Sequence, residues 1–468
     1  MRIFNTETRE KETLTSTRKN SLIKMYTCGP TVYNRAHLGN FRTYVFEDLL
    51  RRVLKQAGFK VEQAMNLTDV DDKTIRGARE KGQDLDTYTE PFKKAFFKDL
   101  EILEIEKVEH YPEATHYISQ MIEMIEILVE KDLAYKGQDG NVFFRIASFP
   151  RYGRLSGLDL STLRQGGSQR VDSDEYDKES VSDFVLWKAY DASRDGDIFW
   201  KSPWGKGRPG WHIECSAMAK ALLGEEIDIH VGGVDNIFPH HENEIAQSEG
   251  CSGRCFARFW MHSEHLIVEG KKMSKSLGNF YRLEDLLDEG FTGREIRFLL
   301  LSTHYRLQLN FSKASLFAAR ASLERIDDFI YRLLHVHSDS GIDIREHITH
   351  AEKGFFNALF DDLNIAEALR ALFGLIKQVN KIADRKKLSK EMAGQVLTLL
   401  REVNQVLSVL NFDETNSIPE EVLHFFKERE EARLNKEWKK ADDLRGKIAQ
   451  RGYEIEDRAE GARLKKKA

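Results

Sequence analysis

The first third of the chain alternates between short apolar runs and one long helical pattern. Residues 22–27 form a short apolar run that ends at a Cys-Gly-Pro turn. Apolar residues then recur at helical spacing over 37–55 until Gly58 stops the pattern, and 60–65 is β-like again. Strand, helix and strand in this order predict a βαβ unit and therefore a parallel sheet.

Further along, the pattern predicts helix, then loop, then strand. Residues 91–135 read as helical. Residues 161–182 are polar and rich in Gly, Ser and Asp, which predicts an exposed loop. Residues 227–231 are a second β-like run, closed by the pair Gly232 and Gly233.

The rear of the chain is predicted to be helical. Beyond about residue 290 the β signals fade, and 312–335 and 355–411 carry Leu, Ala, Phe and Ile at the spacing of amphipathic helices. One more charged helix is predicted at 419–451, followed by a short tail. The expected architecture is an α/β front half with an insertion and an all-helical rear half.

Composition limits the number of domains and the class of protein. The 468 residues correspond to about three domains, and 41% hydrophobic with 31% charged residues is typical of a globular protein. We find no run of about 18 apolar residues that would predict a membrane span, and the N-terminal residues lack the apolar core of a signal peptide. We therefore expect a cytoplasmic protein. The net charge of −5 argues against extensive nonspecific DNA binding but permits local basic patches for RNA.

Four cysteines, namely Cys28, Cys215, Cys251 and Cys255, are too few for a disulfide framework in a chain of this length. They are interpreted as buried thiols or metal ligands. The close spacing of Cys251 and Cys255 permits a metal clip of its own.

The first candidate for chemistry is the segment 28–40, CGPTVYNRAHLGN, which follows a predicted strand and opens a predicted helix. A helix N-terminus presents unpaired N–H groups and a partial positive charge, which suits a phosphate. Gly39 would permit close approach of a nucleotide, and His37 and Asn40 would add donors. The alternative is an ordinary strand-to-helix turn capped by the Asn.

The second candidate is the segment 271–279, KKMSKSLGN, in which lysines and hydroxyls alternate. Such a loop can fold over a polyphosphate and neutralise charge with the ammonium groups of Lys272 and Lys275. The alternative is a solvated basic turn.

A third candidate is a metal set. His240 and Glu244 are four residues apart and share one face if their segment is helical. His, Cys and Glu are the usual zinc ligands. The alternative is an ordinary helix with polar faces, with Cys28 and Cys215 as buried thiols.

Taken together, H-x-G-N after the first strand and K-M-S-K-S roughly 230 residues later resemble the two signatures of class I aminoacyl-tRNA synthetases. Six further segments resemble the cysteinyl-tRNA synthetase family, and the resemblance runs nearly end to end: 66–73 (NLTDVDDK), 207–216 (GRPGWHIECS), 230–235 (HVGGVD), 238–247 (FPHHENEIAQ), 305–312 (YRLQLNFS) and 361–364 (DDLN). The resemblance implies a Rossmann-type parallel-sheet catalytic domain with an insertion, followed by an all-helical tRNA-binding half.

The resemblance also implies a role for each candidate residue. The implied zinc ligands are Cys28, Cys215, His240 and Glu244, and the implied catalytic residues are His37, Asn40, Lys272 and Lys275. ATP would be bound by His37, Gly39, Asn40, Gly232, Gly233, Asp235 and Lys275, and cysteine by Thr68, Trp211 and His230. Asn40 departs from the histidine that often ends the family's first signature. Asn keeps donors but carries no charge.

The implied reaction joins cysteine to tRNA(Cys) through cysteinyl-adenylate, with ATP and Mg²⁺, one zinc ion per chain, no membrane and a monomeric protein. The implied domains are a catalytic domain at 1–125 and 208–262, an insertion at 126–207, a loop and stem-contact region at 263–325, a helical bundle at 326–412 and an anticodon-binding domain at 413–468. Two other functions stay open. One is a ligase that joins cysteine to an amino sugar in thiol-cofactor synthesis, which has little need for the 419–468 segment. The other is a non-catalytic RNA-binding paralogue, which would be expected to lose Lys275 or a zinc ligand.

Overall fold

The structure is a computed structural model, and it describes residues 1–16, 18–158, 170–171, 183–273, 278–412, 419–458 and 461–466. The strands are β1 Arg2–Asn5, β2 Glu10–Thr13, β3 Leu22–Thr27, β4 Lys60–Met65, β5 Ala134–Lys136, β6 Val142–Phe144, β7 Arg170–Val171, β8 Asp183–Ala189, β9 Trp200–Ser202, β10 Gly205–Pro209, β11 Ile227–Gly233, β12 Ala257–Ser263, β13 Leu266–Val268, β14 Lys271–Lys272, β15 Leu309–Phe311, β16 Tyr453–Arg458 and β17 Gly461–Lys466.

The helices follow the same order along the chain. They are α1 Leu38–Gln56, α2 Asp72–Lys81, α3 Leu85–Ile102, α4 Ile118–Glu130, α5 Ala192–Asp195, α6 Trp211–Leu223, α7 Glu242–Ser252, α8 Leu283–Asp288, α9 Gly293–Leu301, α10 Lys313–Leu334, α11 Arg345–Phe360, α12 Ile365–Asp384, α13 Lys390–Leu407, α14 Glu420–Leu434 and α15 Trp438–Gln450. Among the described residues, no helix is both long and apolar enough to cross a membrane.

A four-stranded sheet in the order β12-β11-β3-β4 forms the centre of the front half. All three of its strand pairings are parallel, which confirms the predicted βαβ unit of β3, α1 and β4. Since ligands bind at the carboxyl ends of parallel strands in open α/β sheets, this edge is where a site is expected.

A second sheet lies in the predicted insertion. It has the order β5-β6-β8-β10-β9, with β7 beside β8. Three-residue β13 pairs with β14 and β15 in a further small sheet. The predicted loop at 161–182 lies mostly outside the described residues, apart from β7 at its centre.

The helical prediction for 91–135 is wrong at its centre. Helix α3 ends at Ile102, and α4 begins only at Ile118. The intervening chain runs beside β4, where Met65 N–H donates to His110 O at 3.0 Å. The backbone groups at this sheet edge are hydrogen-bonded by an extended segment, and that requirement overrides the helical pattern of the side chains.

The rear half is mainly helical, as predicted, but it also contains strands. The predicted charged helix at 419–451 is two helices, α14 and α15, and the predicted tail is an antiparallel hairpin of β16 and β17. Tyr453 and Ile455 are buried and alternate with Glu454, which is exposed, and Glu456, which is half-buried, so this short strand has the period of two that a β pattern requires.

Two compact units divide the chain. The first contains 1–319, 354–370 and 405–408, and the second contains 320–353, 371–404 and 409–468. The five domains inferred from the sequence are a finer division than these two units and remain a proposal.

Candidate functional site

The candidate site lies at the carboxyl edge of the parallel sheet. Cys28 follows β3, and its N–H donates to Val231 O in β11 at 3.2 Å. Thr68 follows β4 and pairs with Thr31 through an isolated β-bridge. Gly232 and Gly233 end β11. The ends of three adjacent strands therefore bring together residues that the sequence places up to about 200 positions apart.

The four predicted metal ligands converge at this edge. One ligand atom from each of Cys28, Cys215, His240 and Glu244 lies within 4.8 Å of the other three. Cys215 comes from α6, Glu244 from α7 and His240 from the turn just before α7. Cys215, His240 and Glu244 are each no more than 1% exposed.

The members of the metal set shift one another's pKa values. Burial opposes charge on Cys215, but hydrogen bonds with Cys28 and His240 lower the pKa of Cys215 to about 6. The hydrogen bond with Cys215, together with burial, raises the pKa of Cys28 well above its ordinary value. Burial likewise opposes charge on Glu244, yet His230 and His240 lower the pKa of Glu244 to about 2. These pKa shifts favour a thiolate at Cys215, a carboxylate at Glu244 and a neutral thiol at Cys28.

The donor set fits a zinc ion. Two sulfurs, an imidazole nitrogen and a carboxylate oxygen are its usual ligands, and tetrahedral bonds of roughly 2.0–2.3 Å place ligand atoms roughly 3.3–3.8 Å apart. Glu244 Oε1 is buried without a well-oriented hydrogen bond, although His240 Nε2 lies 3.0 Å from it. A buried carboxylate oxygen without a hydrogen bond can accept a cation as its partner.

The orientation of His240 suits a ligand bound through Nε2. Its other ring nitrogen, Nδ1, lies 2.9 Å from Nδ1 of His212. Burial lowers the pKa of His212 well below its usual value, so His212 is neutral and can accept a hydrogen bond from His240. Such a second partner fixes the tautomer of a ligating histidine.

Sequence reasoning missed a chain of histidines behind the metal set. His241 Nε2 lies 3.3 Å from Cys28 Sγ, His262 Nε2 lies 2.8 Å from His241 Nδ1, and Thr6 Oγ1 lies 2.8 Å from His262 Nδ1. Burial lowers the pKa values of both histidines, so each neutral ring donates from one nitrogen and accepts at the other. Because each neutral ring has one donor and one acceptor, all hydrogen bonds of the chain between the Thr6 hydroxyl and the Cys28 sulfur run in the same direction.

A second possible metal set overlaps the first. In it, His230 and His241 replace Cys215 and His240 beside Cys28 and Glu244. The adjacency of His240 and His241 was the available sequence signal. The four-residue spacing to Glu244 points to His240 alone.

Two of the three residues predicted to bind cysteine, Trp211 and His230, contact the metal set, and Thr68 lies at the end of the neighbouring strand β4. The Trp211 ring stacks on His240 with centroids 4.3 Å apart. His230 Nε2 lies 2.9 Å from Glu244 Oε2, and its ring stacks on Trp260. Thr68 is buried, and its hydroxyl accepts from Asn66 Nδ2 at 3.1 Å. The contact of His230 with Glu244 gives it a direct link to the metal set that the sequence did not indicate.

The first signature forms the N-terminus of α1. The N–H of Asn40 donates to His37 Nδ1 at 3.2 Å, and the N–H of His37 donates to Asn40 Oδ1 at 3.0 Å. This reciprocal cap means that a neutral His37 carries its proton on Nε2. The N–H of Gly39 has no acceptor among the described residues, so α1 offers an anion both a ring donor and an amide.

Three glycines of the predicted ATP site allow close packing. A Cβ on Gly39 would lie 3.0 Å from the His37 ring, and a Cβ on Gly232 would lie 2.8 Å from the His241 ring. At Gly233 a Cβ would lie 2.4 Å from Asp235 Oδ1. Asp235 itself is exposed.

The second signature is only partly described. Lys272 is exposed in β14, and its carbonyl oxygen accepts from Asn279 Nδ2 at 3.1 Å. Lys275 lies outside the described residues, so its role remains a proposal from the resemblance. Met273 lies beside the first signature, since a Cβ on Gly39 would lie 3.3 Å from its Cε.

The segment after the second signature is joined to the first. The N–H of Leu38 donates to Tyr281 O at 2.9 Å, and the Phe280 ring meets the His37 ring edge-on at 5.3 Å. Arg35 donates to one oxygen of Glu284, and Arg282 donates to the other at 3.2 Å. These contacts hold the segment that follows the second signature against the N-terminus of α1.

We expect the Arg35–Glu284 ion pair to affect ATP use modestly. Both side chains are more than a third exposed, so the pair stabilises this arrangement by only about 0.2–1 kcal/mol. Arg35→Glu should raise the KM for ATP by about two- to fivefold, and the charge-swapped double variant, which adds Glu284→Arg, should recover most of the loss. ATP–pyrophosphate exchange over a range of ATP concentrations measures both. Additive losses in the double variant would contradict direct coupling.

The remaining two cysteines do not join this site. Cys251 is buried in α7, where Lys220 Nζ lies 3.6 Å from its sulfur. Cys255 is exposed. Neither belongs to the metal-compatible groups found among the described residues. The structure therefore gives no support, among the described residues, to the metal clip that the spacing of these two cysteines would permit.

The chain matches three described families. Residues 14–321 match the family described as tRNA synthetases class I (C) catalytic domain. Residues 354–411 match the DALR domain, and residues 415–463 match the Cysteinyl-tRNA ligase anticodon binding domain.

Relatives of known name and solved structures agree with these matches. The Cysteine–tRNA ligase of Protochlamydia amoebophila is 55% identical over 100% of this chain and 98% of its own length. That of Chlamydia muridarum is 54% identical over 99% of both. In structure, the chain resembles Mycobacterium tuberculosis methionyl-tRNA synthetase in complex with methionyl-adenylate, with a TM-score of 0.59, 14% identity and coverage of 83% of this chain and 90% of that one. At such identity this likeness concerns the fold alone.

Proposed function

Because the chain belongs to the family of cysteine–tRNA ligases within the class I synthetases, we propose that it activates L-cysteine with ATP and transfers it to tRNA(Cys). The observation that carries the proposal is the convergence of two thiols, a histidine and a glutamate at the carboxyl edge of the parallel sheet, where Cys28 follows β3 and contacts β11. No observation favours the amino-sugar ligase, and the relatives match the whole chain, including the C-terminal segment.

Cys28, Cys215, His240 and Glu244 would hold one zinc ion per chain. When bound, zinc would favour the thiolate form of cysteine over the hydroxyl of serine, because thiolate is its softer and preferred ligand. Trp211, stacked on His240, and Thr68 would close the pocket around the amino acid. His230 would hold Glu244 in place.

In the first step the carboxylate of cysteine attacks the α-phosphorus of ATP, and the bond to the bridging oxygen of pyrophosphate breaks. Positioning and charge stabilisation dominate such a reaction. His37 Nε2–H and the Gly39 amide would donate to phosphate oxygens. Gly232, Gly233 and Asp235 would bind the adenosine at the end of β11. Lys272 and Lys275 would neutralise pyrophosphate, and Mg²⁺ would accompany ATP.

In the second step a ribose hydroxyl of the tRNA 3′-terminal adenosine attacks the acyl carbon and releases AMP. The segment 415–463, with its match to an anticodon-binding domain, would contact the anticodon. We further propose that the protein acts in the cytoplasm, because its substrates take part in translation. We also propose that it is a monomer.

The proposal is tested by ATP–pyrophosphate exchange with each amino acid, followed by charging of a tRNA(Cys) transcript. Cysteine should support exchange and charging, whereas serine should fall below it by more than the 10- to 200-fold that a hydrophobic pocket alone can give, about 10³-fold or more. Absence of cysteine-dependent exchange would overturn the proposal. Exchange without charging of any tRNA would instead favour the amino-sugar ligase.

A further inference from the structure

Two of the residues proposed to surround cysteine come from different parts of the chain, and an ion-pair cluster joins those parts. Thr68 lies in the segment between β4 and α2, and Trp211 is the first residue of α6. The cluster consists of Asp72, Lys188 and Arg208, and we call these three residues the Asp72 cluster. The proposed mechanism gives none of the three a role.

The Asp72 cluster connects the first residue of α2 with two neighbouring strands of the second sheet. Lys188 Nζ in β8 donates to Asp72 Oδ2 at 2.8 Å, and Arg208 Nη2 in β10 donates to Asp72 Oδ1. Arg208 Nε also donates to Asp195 Oδ1 at 3.3 Å. The guanidinium of Arg208 therefore bridges two carboxylates, a contact for which its planar fork is suited and the single ammonium of a lysine is not.

The two cations of the cluster need an anion because the fold removes them from water. Lys188 and Arg208 lie directly opposite each other on β8 and β10, and their side chains are 3% and 1% exposed. Like charges at such cross-strand positions are destabilising, and a buried cation without an anion is costly. Burial opposes charge on Asp72, yet Arg208 and Lys188 lower the pKa of Asp72 below its ordinary value. Asp72 is thus an ionised carboxylate that both cations share.

On the side of α2, the cluster is close to Thr68. Three residues separate Thr68 from Asp72. The turn between them is held in place, since the carboxylate of Asp69 accepts from the N–H of Thr115 at 2.9 Å and from its hydroxyl at 2.6 Å. We therefore expect a shift of the start of α2 to displace Thr68 as well.

On the side of the second sheet, the cluster is close to Trp211. Two residues separate Arg208 from Trp211. Gly210, between them, packs so tightly on β8 that a Cβ at this position would lie 2.3 Å from Val185 O. Trp211 in turn stacks on His240, with ring centroids 4.3 Å apart. The position of β10 therefore determines where the indole ring meets the metal set.

We propose that the Asp72 cluster holds Thr68 and Trp211 at the separation that cysteine binding requires, so that Asp72, Lys188 and Arg208 are positioning residues for the amino acid. The inference rests on the proposed function, because it takes Thr68 and Trp211 as residues of the cysteine pocket. The residues proposed to bind ATP belong to α1, to the end of β11 and to the second signature, outside the segments that the cluster joins. Loss of the cluster should therefore weaken the binding of cysteine and not that of ATP.

The test compares the zinc-containing parent protein with Asp72→Asn, which keeps the shape of the side chain and removes its charge. ATP–pyrophosphate exchange is measured over a range of cysteine concentrations at saturating ATP, and then over a range of ATP concentrations at saturating cysteine. We expect the KM for cysteine to rise by about tenfold, within the roughly 10²-fold that a displacement of about 1 Å can cost. The KM for ATP and the rate at saturating cysteine should change by less than about twofold, because only ground-state binding of cysteine is weakened.

Two further variants serve as controls. Asp72→Glu restores the carboxylate and should recover most of the affinity for cysteine. Asp86→Asn removes an exposed carboxylate from the first turn of α3, where it has no ion-pair partner among the described residues, and should behave like the parent protein. Asp86→Asn thereby accounts for the loss of a negative charge near a helix N-terminus. Zinc content should stay at about one per chain in every variant, which shows that the site is assembled.

Several results would overturn the inference. One is an unchanged KM for cysteine in Asp72→Asn. Another is an equal rise in the KM values for cysteine and ATP, or a loss of zinc, because either would show that the ion pairs stabilise the fold in general. A third is a KM in Asp72→Glu as high as that in Asp72→Asn. Absence of cysteine-dependent exchange in the parent protein would refute the proposed function and the inference with it, whereas a normal parent protein with an unchanged variant would refute the inference alone.

Discussion

The Cys215→Ser variant is expected to lose its zinc and, with it, cysteine-dependent adenylate formation. Apparent zinc-binding energies of roughly 10–16 kcal/mol shared by four ligands correspond to about 3 kcal/mol for each, or about 10²-fold in affinity. A serine hydroxyl keeps nearly the size of the thiol but is a harder and much less acidic ligand. Metal content measured by elemental analysis after dialysis should fall from about one zinc per chain to nearly none.

Cys251→Ser is the matched control for this variant. Cys251 is also a buried cysteine on a helix of the first unit, but its sulfur faces Lys220 and not the metal set. The Cys251→Ser variant should therefore retain about one zinc per chain. Normal metal content in Cys215→Ser would contradict the assignment of the ligands.

Replacement of the adjacent histidines distinguishes between the two overlapping ligand sets. His240 belongs to the set with Cys215, whereas His241 belongs to the set with His230. We expect His240→Ala to abolish zinc binding. His241→Ala should weaken zinc binding by about 10- to 100-fold, the range for a residue that orients a ligand. The reverse order of effects would assign zinc to the other set. Retention of zinc in the parent protein and in His241→Ala should decline as pH falls, because ligands must be deprotonated.

The fold could be predicted from the sequence where a single period dominated a long segment. The βαβ unit of β3, α1 and β4 has such a pattern and was confirmed. The segment between α3 and α4 was not predicted, because its conformation depends on hydrogen bonds to the edge of β4, which lies about 40 residues away in the sequence. The hairpin of β16 and β17 is so short and so charged that its alternation gave little signal.

The candidate site likewise has features that a local sequence pattern predicts and features that depend on contacts between distant residues. Local spacing relates His240 to Glu244, but no local pattern relates them to Cys28, more than 200 residues earlier, and only the family resemblance joined them. The chain from Thr6 through His262 and His241 to Cys28 consists of contacts between residues that lie far apart in the sequence, and it was not predicted. The cap formed by His37 and Asn40 is local, and a capping Asn is the alternative interpretation of this segment. The structure shows that the cap and a phosphate site are compatible, because capping occupies Nδ1 and leaves Nε2.

Removal of the His37 donor is expected to slow adenylate formation by about 10²- to 10³-fold, the scale for losing one preorganised donor to developing charge. His37 accepts at Nδ1 from the Asn40 N–H, so the neutral ring has its proton on Nε2, and the fold rather than the substrate fixes this tautomer. The donor therefore needs no reorganisation when pyrophosphate leaves. Single-turnover formation of cysteinyl-adenylate measures the rate, and cysteine binding should change little because the metal set is separate.

Two replacements at this position separate the donor from the helix cap. His37→Asn provides an oxygen that can still accept from the Asn40 N–H, and Asn is among the best capping residues, whereas His37→Ala removes both cap and donor. Both variants should form cysteinyl-adenylate more slowly. Only His37→Ala should also have a lower free energy of unfolding, by about 1 kcal/mol in urea unfolding. A normal rate in His37→Asn would contradict the donor role. An equal loss of stability in both variants would show that His37 acts mainly through the geometry of α1, with the ATP site disturbed as a consequence.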